Sequence, residues 1–132
     1  MKLIFCLDDR MGLAFNNRRQ SRDSKVIEKI LENNRGKEIS ISTYSALLFG
    51  EDAPVKVSEH PETGDVVFLE REVTEEVMNQ ADELEVYYWN RAYPGDAFAE
   101  IREEDFAVTG EEEFQGSSHE KITLRTYKRR EN

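Results

Sequence analysis

Short apolar runs alternate with amphipathic stretches along this chain, and the runs predict its strands. Residues 3–7 form a continuous apolar run that ends at two aspartates, as in a strand buried on both faces. Residues 66–69 form a second run of this kind after a Gly-Asp turn. Residues 84–89 form a third, whose consecutive aromatic side chains should point to both faces of a sheet. These runs predict the buried centre of one sheet.

Two stretches have the spacing of amphipathic helices with recognisable ends. In the first, Asp23 or Ser24 is the cap and Gly36 ends the helix, around an apolar stripe of Val26, Ile27, Ile30 and Leu31. In the second, Thr74 is the cap and two glutamates complement the positive end of the helix dipole, ahead of the inward-facing Val77, Met78 and Ala81.

The remaining segments predict shorter elements. Ile39 and Ile41 alternate with polar residues in a short strand, residues 43–49 form one or two helical turns, and residues 51–61 form a connector. Residues 106–108 and 122–127 predict two antiparallel strands that close the sheet. Because helices separate the early strands and a hairpin comes late, we expect an α/β fold. The prediction is one domain over residues 1–132, with a mixed, mostly antiparallel sheet and two main helices.

The chain is strongly acidic, with a formal net charge of -10 over 132 residues. A generic DNA or RNA binder needs a broad basic face, so we expect no nucleic acid polymer as a partner. The apolar N-terminal run is too short for a signal peptide or a membrane span, and Cys6 has no partner for a disulfide. We therefore expect a soluble protein of a reducing cytoplasm. Two distant histidines, His60 and His119, and one cysteine predict no metal site.

Three arginines, Arg18, Arg19 and Arg22, lie within five residues of the polar stretch 15–23. Such a cluster can hold an anion such as a phosphate or form salt bridges between subunits. It can equally be a loop with solvated charges. The residues alone leave these alternatives open.

Ser118, His119 and Glu120 are residue types that occur in catalytic triads. Adjacent residues of an extended chain point apart, so we do not expect these three to act as a triad. We expect His119 to hydrogen-bond a loop or a ligand instead.

The layout resembles a shortened dihydrofolate reductase. That family opens with a buried strand ending in Asp or Asn, then a glycine-containing loop and an Asn-Asn pair, and here Asp8, Gly12 and Asn16-Asn17 match that opening. Residues 66–69, 81–84 and 106–127 are similar to the family's later strand, helix end and closing hairpin. The resemblance implies a reductase-like core.

The chemistry of that family is not matched. Its members place a glycine pair after the buried strand, so that the cofactor pyrophosphate meets backbone N–H groups. Here residues 69–72 read Leu-Glu-Arg-Glu, and Arg18-Arg19-Gln20-Ser21 replaces the residues that precede the pterin carboxylate. Side chains at residues 69–72 block the approach and the glutamates repel phosphate. We therefore expect no reductase cofactor.

A longer resemblance is to the first-described family of phage anti-Thoeris proteins, which are nucleotide sponges. Four runs carry it: residues 7–9, 15–23, 89–94 and 116–123, which read LDD, FNNRRQSRD, WNRAYP and GSSHEKIT. The resemblance implies a non-enzymatic protein that captures the cyclic ADP-ribose isomer made by bacterial TIR-domain enzymes. It also implies a homo-oligomer, either a dimer or a hexamer, a location in the cytoplasm of a bacterial host and, for some members of the family, a second site for cyclic oligonucleotides.

A ligand of this kind needs an aromatic platform, amide groups and cations. We expect Trp89 and Asn90 to hold the base and Arg91 to add charge. Alternating side chains on the last strand place Lys121, Thr123 and Arg125 on one face, where they could meet the pyrophosphate. Trp89 as a core residue and the last strand as a solvated edge are the structural alternatives. Arg18, Arg19 and Arg22 are the candidates for the second, cyclic-nucleotide site.

The resulting prediction is a phage anti-defence protein that sequesters a cyclic nucleotide signal without degrading it, with no catalytic residue, cofactor or metal. The alternatives are a divergent reductase or nucleotide hydrolase, and a structural subunit whose aromatic strand serves only assembly.

Overall fold

A computed structural model describes residues 1–131, and Asn132, the last residue of the predicted domain, lies outside them. The strands are β1 Lys2–Leu7, β2 Gly12–Phe15, β3 Arg18–Arg19, β4 Ile39–Ile41, β5 Val55–Val57, β6 Val66–Phe68, β7 Glu83–Tyr88, β8 Ala97–Phe98, β9 Phe106–Phe114 and β10 Ile122–Arg129. The helices are α1 Ser24–Asn33, α2 Ala46–Phe49 and α3 Glu75–Gln80, with single 3₁₀ turns at Thr43–Ser45 and Pro61–Thr63.

Seven strands form the main sheet in the order β5-β4-β6-β1-β7-β10-β9. The first four neighbouring pairs in that order are parallel, and only β7-β10 and β10-β9 are antiparallel. The predicted α/β class and mixed sheet are therefore confirmed, whereas the prediction of a mostly antiparallel sheet is wrong. Long connections carrying α1 and α3 return the chain to the same end of the sheet, which permits parallel pairing.

A small sheet of order β3-β2-β8 lies beside the main one. Asn16 and Asn17 join β2 to β3 with φ of 51° and 59°, the left-handed conformation that asparagine tolerates best among non-glycine residues. The stretch 15–23 thus begins as a tight hairpin. The interpretation of that stretch as an irregular loop holds only after Arg19.

The two main helices begin where the sequence predicts. The Asp23 carboxylate accepts a hydrogen bond from Lys25 N at 2.9 Å, and Thr74 Oγ1 accepts one from Val77 N at 3.1 Å. Helix α1 ends at Asn33, and Gly36 follows in a left-handed turn with φ of 83°. None of the helices among residues 1–131 combines the length and the apolar character needed to span a bilayer.

Apolar side chains cover both faces of the main sheet. On one face, α1 packs its Val26 and Ile30 against a cluster that includes Ile4, Tyr87 and Trp89. On the other, α3 contributes to a cluster containing Leu3, Phe5, Leu84, Val86 and Val77. Aromatic side chains of the third run therefore reach both faces, as predicted. We call these surfaces the α1 face and the α3 face.

Two segments differ from the sequence-based prediction. The predicted connector 51–61 contains β5, which adds an edge strand, and the acidic residues 111–113 belong to β9 rather than to the segment between two strands. Cations of β10 make this acidic strand possible, because Arg125 lies opposite Glu111 and bonds its carboxylate through Nε at 2.7 Å.

Candidate functional site

A cavity of about 270 Å³ lies on the α1 face, close to the carboxyl ends of the central strands β1 and β6. Its floor is apolar and includes Cys6, Phe68 and Trp89, and Val26 and Ile27 of α1 form one wall. Residues 19–24 line its polar side. In open α/β sheets, crevices at the carboxyl ends of the strands are where ligands bind. We therefore treat this cavity as the candidate site.

One of the arginines at the cavity is neutralised within the chain. Arg19 bonds the carboxylate of Glu70 through Nε at 2.6 Å and through a second nitrogen at 3.0 Å. Ser45 Oγ also donates to Glu70, at 2.7 Å, and the Arg19 guanidinium lies 4.3 Å from the centre of the Tyr44 ring. A bidentate pair with these additional contacts fixes Arg19 as part of the wall.

The two neighbouring arginines are not neutralised. Neither Arg18 nor Arg22 has a carboxylate within 4 Å among residues 1–131. Arg22 lines the cavity, and Arg18 borders an adjacent shallow depression with Tyr93 and Pro94. Arg22 therefore offers the cavity a cation without a carboxylate partner among residues 1–131, although Asp23, Glu28 and Glu70 also line it.

A buried histidine ties the polar side of the cavity together. His119 Nδ1 lies 2.9 Å from Asp23 Oδ2, and its Nε2 lies 3.0 Å from both Ser21 Oγ and Tyr93 OH. The imidazole stacks on the Trp89 indole, with ring centres 4.6 Å apart and an angle of 23° between the planes. The hydrogen bonds confirm the expectation that His119 bonds a loop. The stacked imidazole occupies one face of the Trp89 ring.

Asp23 anchors this arrangement. Besides capping α1, its carboxylate accepts hydrogen bonds at 2.9 Å from the backbone N–H groups of Ser117 and Ser118. Burial alone would raise the pKa of Asp23, but donation from Ser117, Ser118, His119 and Lys25 outweighs it and holds the pKa well below its usual range. Asp23 is therefore ionised, and it joins the loop before α1 to the loop before β10.

Asp8 plays a similar role at the carboxyl end of β1. Its carboxylate accepts bonds from Gly12 N at 2.7 Å, Tyr93 N at 3.0 Å and Gln20 Nε2 at 3.2 Å. Burial alone would raise the pKa of Asp8. The hydrogen bonds from these donors and from Arg10 N lower it by more, so the pKa lies below its usual value. Asp8 thus holds the residues around Gln20 and Tyr93 against the sheet.

A second, wider cleft lies beside the start of α3. Five carboxylate side chains and one guanidinium line it: Glu62, Glu70, Glu72, Glu76, Asp96 and Arg71. Leu69 and Glu70 border both this cleft and the cavity, so these two residues, with Glu70 paired to Arg19, lie between the two openings. No group of three or more His, Cys, Asp or Glu side chains in the described part of the chain is arranged to hold a metal ion.

The structure places only part of the predicted ligand set at the cavity. Trp89 lines it, although its side chain is buried. Asn90 lies at the end of β7 with φ of 58°, and its Nδ2 donates to Thr123 Oγ1 at 2.9 Å and to Lys121 O at 3.2 Å. These three residues therefore form a joint between β7 and β10, and Arg91 is exposed beside them.

Arg125 lies on the α3 face, away from the cavity. Its guanidinium bonds Glu111 and lies 5.2 Å from the centre of the Tyr88 ring, which packs with the α3-face cluster. Because Trp89 points to the α1 face, Trp89 and Arg125 do not share a site within one chain. The ligand-binding role of this residue set stays a prediction.

Sequence reasoning missed the residues that organise the site, Ser21, Asp23 and Glu70. Asp23 was expected only as a helix cap, and its second set of partners lies 94 to 96 residues away in the sequence. One feature of the sequence could have indicated these residues. Residues 7–9, 15–23, 89–94 and 116–123 were grouped as motif runs, and the contacts of Asp8, Asp23 and His119 bring all four runs together.

No protein-family profile matches the chain, and no curated protein matches it. Among solved structures, it is similar to the dihydrofolate reductase from Enterococcus faecalis complexed with NADP(H) and RAB-propyl, with a TM-score of 0.67 and 11% sequence identity. The match covers 98% of this chain and 96% of that one. The chain has a dihydrofolate reductase-like fold.

The resemblance to that fold, first indicated by the opening strand and the closing hairpin, is thus confirmed for the architecture alone. At 11% identity the likeness carries no activity to this chain. In this reductase-like fold, residues 69–72, where the resemblance expects a glycine pair, border the acidic cleft with Glu70 and Glu72.

Proposed function

We propose that this protein binds a cyclic ADP-ribose signal nucleotide in the cavity on the α1 face and holds it chemically unchanged. The proposal rests on the resemblance to phage anti-Thoeris sponges and assigns the ligand of that family to this cavity. It makes the protein an anti-defence factor of a phage, acting in the cytoplasm of a bacterial host.

The observation that carries the proposal is the convergence of the four motif runs. They are spread from residue 7 to residue 123, yet hydrogen bonds of Asp8, Asp23 and His119 join them. These bonds hold in place residues 20, 21 and 23, which line the cavity. A shared ligand site would account for this convergence.

The chemistry of the cavity suits the proposed ligand. A cyclic ADP-ribose offers a flat purine, two riboses and a pyrophosphate. The apolar floor with Trp89 can take the base, and Arg22 at the rim can bond the phosphates, since it has no carboxylate partner among residues 1–131. Charge-assisted bonds of this kind are the strong ones in nucleotide recognition.

An oligomer extends the proposal to the remaining predicted residues. Asn90, Arg91, Thr123, Lys121 and Arg125 lie outside the cavity, so they contribute to ligand binding only if a second copy of the chain brings them to it. Arg18, beside the cavity, is available for a cyclic oligonucleotide between subunits. We propose a dimer or a hexamer on this basis.

The charge of the second cleft favours this function over a reductase. A dinucleotide cofactor needs positive charge or free N–H groups for its phosphates. The cleft beside α3 instead presents five carboxylates, and the first turn of α3 already carries Glu75 and Glu76. Phosphate groups are repelled there.

The test is a capture experiment. The protein is incubated with the product of an active TIR synthase, filtered through a membrane that retains protein, and then heat-denatured, with mass spectrometry on both fractions. We expect the filtrate to lose the signal and the denatured fraction to release it intact. Nucleotide that stays in the filtrate contradicts binding, and a cleaved product indicates a hydrolase instead.

A further inference from the structure

The side chains of Ser21, His119 and Asp23 have the geometry of a catalytic triad. Ser21 Oγ lies 3.0 Å from His119 Nε2, and His119 Nδ1 lies 2.9 Å from Asp23 Oδ2. These are the distances and the order of contacts by which a serine nucleophile, its base and the orienting carboxylate are recognised. These two contacts are made by Ser21 and Asp23, and not by Ser118 and Glu120, the sequence neighbours of His119 considered above.

The tautomer of His119 follows from its partners. Asp23 is ionised and can only accept a hydrogen bond, so Nδ1 carries the hydrogen that lies between them. In the neutral imidazole Nε2 is then the acceptor, and the hydroxyls of Ser21 and Tyr93 both face it at 3.0 Å. This is the tautomer that a general base needs in order to take a proton from serine.

The surroundings hold the imidazole in this orientation. The side chains of His119 and Asp23 are only 3% and 0% exposed, and the Trp89 indole lies flat against the ring. The indole face also stabilises positive charge, which the imidazole gains when it takes a proton. Such support is more than a loop contact requires.

Ser21 is accessible to a ligand because it is only half-buried and lines the cavity. The residue after it, Arg22, has a backbone N–H with no hydrogen-bond acceptor in the described part of the chain. In nucleophile-elbow hydrolases, the N–H of the residue after the serine stabilises the developing oxyanion. The apolar floor of the cavity fits the acyl part of a substrate.

We propose that Ser21 is a base-activated nucleophile that hydrolyses small carboxylic esters with an apolar acyl group. Ser21 Oγ bonds to the acyl carbon while its proton passes to His119 Nε2. The bond from that carbon to the leaving alkoxide then breaks, and the alkoxide takes the proton. Water repeats the sequence: it gives a proton to His119 and adds to the acyl carbon, and the Ser21 oxygen leaves with that proton.

This activity goes beyond the proposed nucleotide binding and does not conflict with it. A cyclic ADP-ribose has no acyl carbon, so the same side chains can line its binding site and leave it intact. The two proposals fail independently, because nucleotide capture does not require the Ser21 hydroxyl to be reactive.

The test is covalent labelling by a fluorophosphonate probe, with the modified residue found by peptide mass mapping, and hydrolysis of p-nitrophenyl acetate in parallel. We expect one label, on Ser21, and ester hydrolysis at least tenfold above that of Ser21→Ala. Ser58→Ala is the control, since the Ser58 hydroxyl accepts a hydrogen bond from His60 N outside the cavity. It should keep the label.

Two further variants separate the base from the fold. His119→Gln should slow labelling at least 100-fold, and Tyr93→Phe should leave it equal or faster, because the Tyr93 hydroxyl competes with Ser21 for Nε2. If His119→Gln does not fold, the comparison of wild type with Ser21→Ala decides alone. Absence of labelling in the wild type, or labelling that survives in Ser21→Ala, overturns the proposal.

Discussion

Two openings border the loop after β6, and they differ in charge. The cavity on the α1 face has an apolar floor and a rim with the unneutralised Arg22, whereas the cleft beside α3 has five carboxylates around a single arginine. Leu69 and Glu70 border both openings, and Glu70 is paired with Arg19 on the cavity side. One reductase-like sheet therefore presents a strongly acidic opening next to one whose lining includes an arginine without a carboxylate partner among residues 1–131.

The difference shows how a fold can be kept while its binding properties change. The parallel strands that create a crevice at their carboxyl ends are set by apolar runs in the core. The charge of the crevice is set by side chains at strand ends, such as Glu70, which do not contribute to the apolar core. Function is therefore free to differ between proteins that share this architecture.

The largest expected effect comes from removing the anchor of the cavity's polar side. Asp23→Ala leaves the partly buried N–H groups of Ser117 and Ser118 and the buried His119 ring without an acceptor. Each such loss costs about 1–3 kcal/mol, so we expect the free energy of unfolding to fall by at least about 3 kcal/mol in urea denaturation. Asp9→Ala, an exposed neighbour of Asp8, is the control and should change it by less than about 0.5 kcal/mol.

The low pKa of Asp23 predicts how the free energy of unfolding depends on pH. The pKa of Asp23 is lower in the folded chain than the value of about 3.9 expected when unfolded, so its contribution is complete above that value and is lost as the pH falls below it. We expect unfolding free energy to decline below about pH 4, and to decline less steeply in Asp23→Asn. Equal slopes in both proteins would show that other groups dominate.

Arg22→Ala tests the attraction of the cavity for anions. Removing one charge-assisted hydrogen bond should weaken binding of the signal nucleotide by about 1.5–3 kcal/mol, or roughly 10- to 100-fold, measured by isothermal titration calorimetry. Arg35→Ala, an exposed arginine beyond the far end of α1, should leave the affinity unchanged. A similar loss in both variants would indicate a nonspecific effect of net charge.

Glu70→Gln acts on the boundary between the two openings. The amide has a single acceptor oxygen, which can keep the bonds that Ser45 and one nitrogen of Arg19 make to Glu70 Oε1, but it loses the second Arg19 bond and no longer neutralises the guanidinium. We expect unfolding free energy to fall by about 1–2 kcal/mol, while nucleotide affinity rises several-fold because Arg19 becomes an unpaired cation. Weaker nucleotide binding by a well-folded variant would place the ligand away from this wall.

Arg125→Ala should have the smallest effect. Arg125 is paired with Glu111 on the α3 face, so we expect nucleotide affinity in the cavity to change by less than twofold. A direct bond from Arg125 to the pyrophosphate, as the sequence predicts, would instead make the loss about 1.5–3 kcal/mol, the range for a charge-assisted contact. A loss of that size would mean that the ligand lies against the last strand, at an interface between copies.

The sequence predicted the parts of this fold that depend on local patterns. The apolar runs of β1, β6 and β7 and the caps Asp23 and Thr74 are all found where expected, because burial and capping act within a few residues. The direction of strand pairing was predicted wrongly, since parallel and antiparallel neighbours can share one hydrophobic pattern. Glu111 was missed as a strand residue because its partner, Arg125, lies across the hairpin.

The candidate site was less predictable than the fold. Trp89 and the arginine cluster were identified from residue type, but the pairing that neutralises Arg19 and leaves Arg22 without a carboxylate depends on Glu70, 51 residues further along. The contact of His119 with Asp23 spans 96 residues. Contacts of this range depend on the topology of the sheet, which the local pattern does not specify.

Trp89 allows the central claim to be tested without any substitution. It is the single tryptophan of the chain and lines the cavity, so its fluorescence reports on that opening. Titration with the TIR-synthase product should give a saturable change in Trp89 emission, at a stoichiometry that matches the nucleotide recovered intact from the protein. Nucleotide retained by the protein without any change in Trp89 emission would contradict a site in this cavity.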